Sequence, residues 1–188
     1  MKFIFRASLI TLLFLPFATW ADKSRSPYDY VINVSGGKYV FVMLANSGFT
    51  LFDAGASDNV GVIDSDKKIR KSYKESGLYL VGQASPLWTI SWYSFTVYPS
   101  ADGDHLVRIG PWASSVEQLA LSFYSKGVEI KKYLIRDLVK DQSRLNYTVS
   151  HFFWMSEHRY DETNQLIHLK TVDGVIYKFS TMTGEIVP

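Results

Sequence analysis

No cysteine occurs anywhere in the 188 residues. That absence excludes a disulfide framework, thiolate nucleophiles and thiolate metal sites, and it excludes a lipoprotein anchor, whose acceptor thiol is missing. Charge of one sign is also lacking, since 20 Lys and Arg stand against 18 Asp and Glu. Lys2 and Arg6 precede Asp22 and no acidic residue does, so the chain from Asp22 onward is formally neutral. A neutral chain has no excess of cations with which to neutralise phosphates, which argues against nucleic acid as a partner. The Gly-x-Ser-x-Gly elbow of serine hydrolases and the Gly-x-x-x-x-Gly-Lys phosphate cradle are missing too. Asp53, Asp58, Asp64 and Asp66 supply oxygen donors, but no Asp-x-Asp-x-Asp-Gly loop with a distal Glu frames them. No cofactor and no metal site is therefore assigned.

What is present begins with a leader. Met1 to Arg6 is short and positive, Ala7 to Phe17 is apolar, and Ala18-Thr-Trp-Ala21 offers small residues before Asp22. That order is a secretory signal peptide over 1–21, and its apolar run is well short of the roughly 20 residues that span a bilayer. The expected product is a secreted or periplasmic protein with no membrane span after processing. Export without disulfides suits a bacterial envelope. Removing residues 1–21 leaves residues 22–188, one domain's worth of chain and long enough to bury a core.

The remaining chain reads as strands and tight turns. Residues 86–112 hold an aromatic strand, the Asp102-Gly103 turn and a second strand, and similar reversals stand at Ser35-Gly36-Gly37-Lys38 and Asp173-Gly174. Tyr39 to Leu44 is apolar at nearly every position, which predicts an inner strand buried on both faces. Residues 45–76 break into Gly, Asp, Ser and Lys and read as a loop-rich insertion. It holds short strands at 49–52 and 60–63 and a solvated basic loop at Lys67-Lys68-Ile69-Arg70-Lys71. Ser114-x-x-Glu117 has the spacing of a capping box, Arg136 to Leu145 reads as one or two helical turns, and the last group is expected to open on a strand at 151–155. Glu157, Asp161 and Glu162 read as a solvated turn.

Counted together, the strands form an all-β chain of three sequential four-stranded antiparallel groups, at about 28–90, 93–139 and 151–187. Phe95-Thr-Val-Tyr-Pro-Ser-Ala-Asp-Gly-Asp-His-Leu-Val-Arg-Ile-Gly110 resembles the opening hairpin of blades in WD40-like and TolB-like β-propellers. Asp173 to Val187, with its Thr183-Gly184-Glu185 turn, resembles the closing hairpin of WD40 and quinoprotein-type repeats. The resemblance covers about half of the mature chain and implies propeller-like blades. Three groups are fewer than the roughly four blades of a closed ring, so a β-sandwich or an open stack of sheets is the alternative. Unpaired edges would be met either by a second copy in a homo-oligomer or by the 45–76 insertion.

Candidate site residues come from the aromatics. Trp88, Trp92, Tyr93 and Trp112 cluster around the central hairpin, and half-exposed Trp and Tyr offer flat apolar surfaces with a polar handle for a glycan or a protein partner. The competing reading of each is core packing. His105, His151, His158 and His168 form no strong motif and read as turn and strand-edge residues in water, although His105 stands beside Asp102 and Asp104 at a turn tip. No catalytic residue is assigned. The sequence favours a non-enzymatic binding module, against a periplasmic hydrolase working with Asp and His side chains at loop tips. Mass spectrometry of the exported protein is expected to find its N-terminus at or near Asp22; a full-length, membrane-extracted product would overturn the leader assignment.

Overall fold

A computed structural model describes residues 27–45 and 66–188. The leader, the strands expected at 49–52 and 60–63, and Asp53, Asp58 and Asp64 lie outside the described residues. The fold is all-β, and each of the three expected groups is a four-stranded antiparallel sheet with its strands in chain order. Sheet 1 contains β1 (Tyr30–Val34), β2 (Tyr39–Met43), β3 (Gly77–Leu80) and β4 (Pro86–Thr89). Sheet 2 contains β5 (Val97–Pro99), β6 (His105–Ile109), β7 (Leu119–Ser125) and β8 (Val128–Leu134). A short helix α2 (Ile135–Leu138) and a ribbon of β9 (Asn146–Tyr147) and β10 (Phe152–Phe153) lead to sheet 3. That sheet contains β11 (Met155–Asp161), β12 (Leu166–Thr171), β13 (Ile176–Ser180) and β14 (Ile186–Val187). The further helix α1 (Asp66–Ser72) precedes β3.

Three details correct the sequence reading. Sheet 3 opens on Met155–Asp161 and not on 151–155, because Glu157 and Arg159 point outward while His158 and Tyr160 turn inward on an edge strand, a polar alternation that resembles a turn. The Ser114 segment is a turn in which the Gln118 carboxamide oxygen accepts from the Ser114 and Ser115 N–H groups, so Glu117 closes no capping box. The basic run at 67–71 lies in α1, not in a loop: Ile69 and Tyr73, four apart, pack on sheet 1, Lys68 and Lys71 stay exposed, and Arg70 turns in to a buried carboxylate.

Alternation decides where the cores form. In β6 and β7, Val107, Ile109, Leu121 and Phe123 pack with Ile167, Leu169, Tyr177 and Phe179 of sheet 3, and with Ile135 and Leu138 of α2. Leu106 of β6, Val97 of β5 and Tyr124 of β7 pack instead with Phe41, Met43, Leu78 and Trp88 of sheet 1. Sheet 2 thus lies between the other two. β2 is an inner strand, as its composition predicts: Phe41 and Met43 face sheet 2, while Val40, Val42 and Leu44 form a third cluster with Tyr79 under Ile69 and Tyr73. Two glycines serve these contacts. Gly103 takes φ +79° in the β5–β6 turn, and a Cβ on Gly110 would stand 1.8 Å from the Leu119 carbonyl oxygen.

The helix is tied down by one buried ion pair. Asp29 is 5 % exposed, its Oδ1 accepts from the Ala45 N–H at 2.7 Å and from Arg70 Nη2 at 2.8 Å, and its Oδ2 lies 2.6 Å from Arg70 Nε. Arg70 also donates to the Ala45 carbonyl. The pair holds α1 against the end of β2. Arg70→Ala leaves a buried carboxylate with one backbone donor, and denaturant melts are expected to show a loss of about 2 kcal/mol. Gly110→Ala is expected to cost more, because its Cβ meets backbone that cannot turn away.

Candidate functional site

The four aromatic candidates separate in the fold. Trp88 and Tyr93 are 9 % and 3 % exposed and belong to the core between sheets 1 and 2. Trp88 Nε1 donates to the Gly103 carbonyl at 2.8 Å, and the Tyr93 hydroxyl donates to the Tyr28 carbonyl at 3.1 Å, so both polar tips are spent on backbone. Trp92 and Trp112 are half-buried, and each lines its own cleft.

The Trp92 cleft has a volume of about 710 Å³ and lies where sheet 1 meets the β7–β8 hairpin. Its aromatic wall is Trp92 with Tyr124, ring centroids 4.9 Å apart and tilted by 38°. The Arg108 guanidinium sits 4.4 Å from the Trp92 ring centroid and donates to the Tyr93 carbonyl at 3.3 Å, so the indole is clamped by a cation–π contact. Tyr124 receives a hydrogen bond from Ser122 Oγ at 3.1 Å and donates to Glu129 Oε2 at 3.3 Å. Burial pushes the Tyr124 hydroxyl pKa up, against the lowering effect of Ser122 and Arg108, so it stays a neutral donor. Glu129, Glu75, Thr89 and Ser91 are exposed along the rim. Gly127 belongs here because a Cβ would come within 2.4 Å of the Thr89 carbonyl oxygen.

The Trp112 groove, about 330 Å³, lies where the end of β6 meets β10 and the start of β11. Trp112 lies tilted against His151 with centroids 4.0 Å apart, and Phe95, Pro111, Phe153 and Trp154 line the groove further. His158 borders it with Nδ1 2.7 Å from the Tyr98 hydroxyl. The histidines are therefore not the exposed group that the sequence suggests. His151 is buried and its Nδ1 meets Thr148 Oγ1 at 2.8 Å, while His158 and His168 lie on strands, partly covered by the sheet around them.

Ser100, Asp102 and His105 come together at the β5–β6 turn, yet their order is wrong for nucleophilic catalysis. The Ser100 hydroxyl donates to Asp102 Oδ1 and accepts from the His105 backbone N–H, while the His105 ring faces Asp102 Oδ2 at 3.1 Å. A base must stand between nucleophile and carboxylate, and here the carboxylate stands in the middle. The group is a turn lock. Burial alone would raise the Asp102 carboxyl, but hydrogen bonds from Ser100, the Asp104 N–H and His105 hold it below the usual range. Thr171 and Asp173 repeat the lock at the β12–β13 turn, with Asp173 Oδ2 also accepting from the Lys140 and Asp141 N–H groups at 2.7 and 2.9 Å. Among the described residues, no group of three or more His, Asp and Glu stands close enough to hold a metal ion.

No family model matches this chain, and no curated protein matches it in sequence. The site therefore rests on geometry. Sequence reasoning named Trp92 but missed Arg108, Tyr124 and Glu129. The available signal was the single cation within His105-Leu-Val-Arg-Ile109, a strand otherwise suited to burial.

His158 supplies a test of this region. Burial lowers its pKa below the ordinary histidine value, so the native state favours the neutral ring. The unfolded chain then takes up its proton first as the pH falls. The stability present above about pH 6.5 is lost progressively below it, towards the folded pKa. Thermal melts are expected to fall across that window in the wild type and to flatten in His158→Gln.

Proposed function

We propose that this protein is an exported, non-catalytic binding module, built as an open stack of three propeller-like blades, that takes its partner at the clefts between neighbouring sheets. The observation that carries the reading is the division of the aromatic cluster. Two members are consumed by the core, while Trp92 and Trp112 are left half-exposed, each in a cleft with a wall already fixed by its neighbours. Half-exposed tryptophans in preformed clefts offer large contact area at little ordering cost. Four-stranded meanders repeated in chain order, over 30–89, 97–134 and 155–187, support the blade reading. The N-terminal leader sequence supports export.

The stack acts as a single chain in this reading. Ring completion through sheet 1 would require α1 to leave Val40, Val42 and Leu44, and the outward side of sheet 3 carries His168, Lys170 and Lys178. Among the described residues, a helix covers the one terminal face, and charges interrupt Leu166 and Ile176 on the other.

Alanine substitutions test the reading. Trp88→Ala is expected to cost about 3–5 kcal/mol in stability, as for a buried aromatic. Trp92→Ala and Trp112→Ala should lose less, and at least one should abolish retention of the partner captured by the wild type on glycan arrays or from its own envelope fraction. Turnover in an esterase, glycosidase or phosphatase panel, abolished by Asp102→Ala or His105→Ala, would overturn the proposal in favour of a hydrolase.

A further inference from the structure

We infer that the Trp92 cleft is a carbohydrate site, an assignment that rests on the binding-module reading and gives it a ligand class. A pyranose ring presents a flat C–H face bounded by hydroxyls, each both donor and acceptor. A complementary site needs an aromatic wall beside carboxylates and small hydroxyls. Trp92 supplies the half-exposed face of the wall with the buried Tyr124 behind it, and Glu75, Glu129, Thr89 and Ser91 supply the rim.

Other ligand classes fit the same residues worse. A phosphate or other anion meets two exposed carboxylates, while the cation nearest the wall, Arg108, is held against the Trp92 ring and donates to the Tyr93 carbonyl. A cationic ligand meets Arg108 behind the wall and Lys74 on the rim. A lipid chain needs a continuous apolar lining, which the carboxylates and hydroxyls interrupt. The neutral, polar, flat ligand is the one that every lining group accepts. The cleft volume of about 710 Å³ lies in the range of small-molecule sites.

The wall is set before any ligand arrives. Arg108 projects from β6, in the middle layer of the fold, and fixes the indole, and Ser122 and Glu129 fix the Tyr124 hydroxyl. Glu129 therefore has two roles: Oε2 orients Tyr124, and Oε1, 3.8 Å from Lys132 Nζ, stays at the solvent side where a sugar hydroxyl donates.

Calorimetric titration of the mature chain with soluble cello-, chito- and malto-oligosaccharides tests the assignment. At least one series should bind saturably. Trp92→Ala should weaken it by about tenfold or more, the scale of a lost aromatic contact. Glu129→Gln should weaken it severalfold, and Val149→Ala, at an exposed position that lines neither cleft, should leave it unchanged. Should Trp92→Ala melt without cooperativity, Glu129→Gln and Ser91→Ala, both at exposed positions, carry the comparison. Failure of every series to bind, or equal binding by the wild type and these variants, overturns the carbohydrate assignment. The broader reading is judged separately: it stands if Trp92→Ala or Trp112→Ala still loses an envelope protein that the wild type retains, and it fails if neither variant loses anything.

Discussion

The double duty of sheet 2 is the constraint on which the rest of the molecule depends. Successive residues of β6 alternate between two cores, Leu106 towards sheet 1 and Val107 and Ile109 towards sheet 3, and β7 does the same with Tyr124 and with Leu121 and Phe123. A slip of one residue in the β6–β7 register would exchange the two sets, sending Phe123 into the space shaped for Tyr124. The turns flanking β6 guard against that slip. The Ser100 and Asp102 lock fixes the entry to β6, and the contact of Gly110 with the Leu119 carbonyl fixes its exit. Local turn chemistry thereby sets a pairing on which two cores rely.

The aromatic wealth of the chain has a structural use beyond apolar area. Several rings span the gap between neighbouring units and end in a hydrogen bond to backbone: Tyr30 to the Ser94 carbonyl at 2.6 Å, Tyr177 to that of Leu138 at 2.7 Å, and Tyr133 to that of Gly184 at 2.9 Å. Such a residue buries its ring in one layer and satisfies an acceptor in the next, which a Leu or Ile cannot do. Burial and neighbouring tyrosines drive the Tyr30 pKa far up, which keeps this bolt a neutral donor. In a chain without cysteine, these hydroxyls tie the layers together as directional contacts.

The architecture was legible because each sheet is local in sequence. Every four-stranded unit pairs strands that follow one another, so the turn residues at 35–38, 102–103 and 173–174 and the strand composition between them sufficed to find all three. Elements whose identity depends on what they pack against were not legible. α1 looks like a solvated basic run because only Ile69 breaks its charges, and its helical face has meaning only against Val40 and Val42. β11 looks like a turn because an edge strand with one wet face shows charge at alternate positions. The candidate site was half legible for the same reason. Composition located the tryptophans, but whether Trp88 or Trp92 is swallowed depends on the β5–β6 turn that receives the Trp88 indole N–H.

The position of the clefts follows from the geometry of the layers. Twisted sheets that pack face to face stay in contact near their centres and diverge towards their corners, where no single side chain closes the gap. At the junction of sheets 1 and 2, Trp88 fills the inner part and Trp92 occupies the outer part, with Tyr124 and Arg108 reaching it from sheet 2. At the junction of sheets 2 and 3, Trp154 is buried and Trp112 lies further out on His151. Each junction thus pairs a buried tryptophan with a half-exposed one. The buried member holds two sheets together, and the exposed member inherits a rigid wall without a separate scaffold to position it. A cleft of this kind stands at each of the two junctions, so the repeated sheet both builds the fold and leaves a half-exposed tryptophan where neighbouring sheets meet.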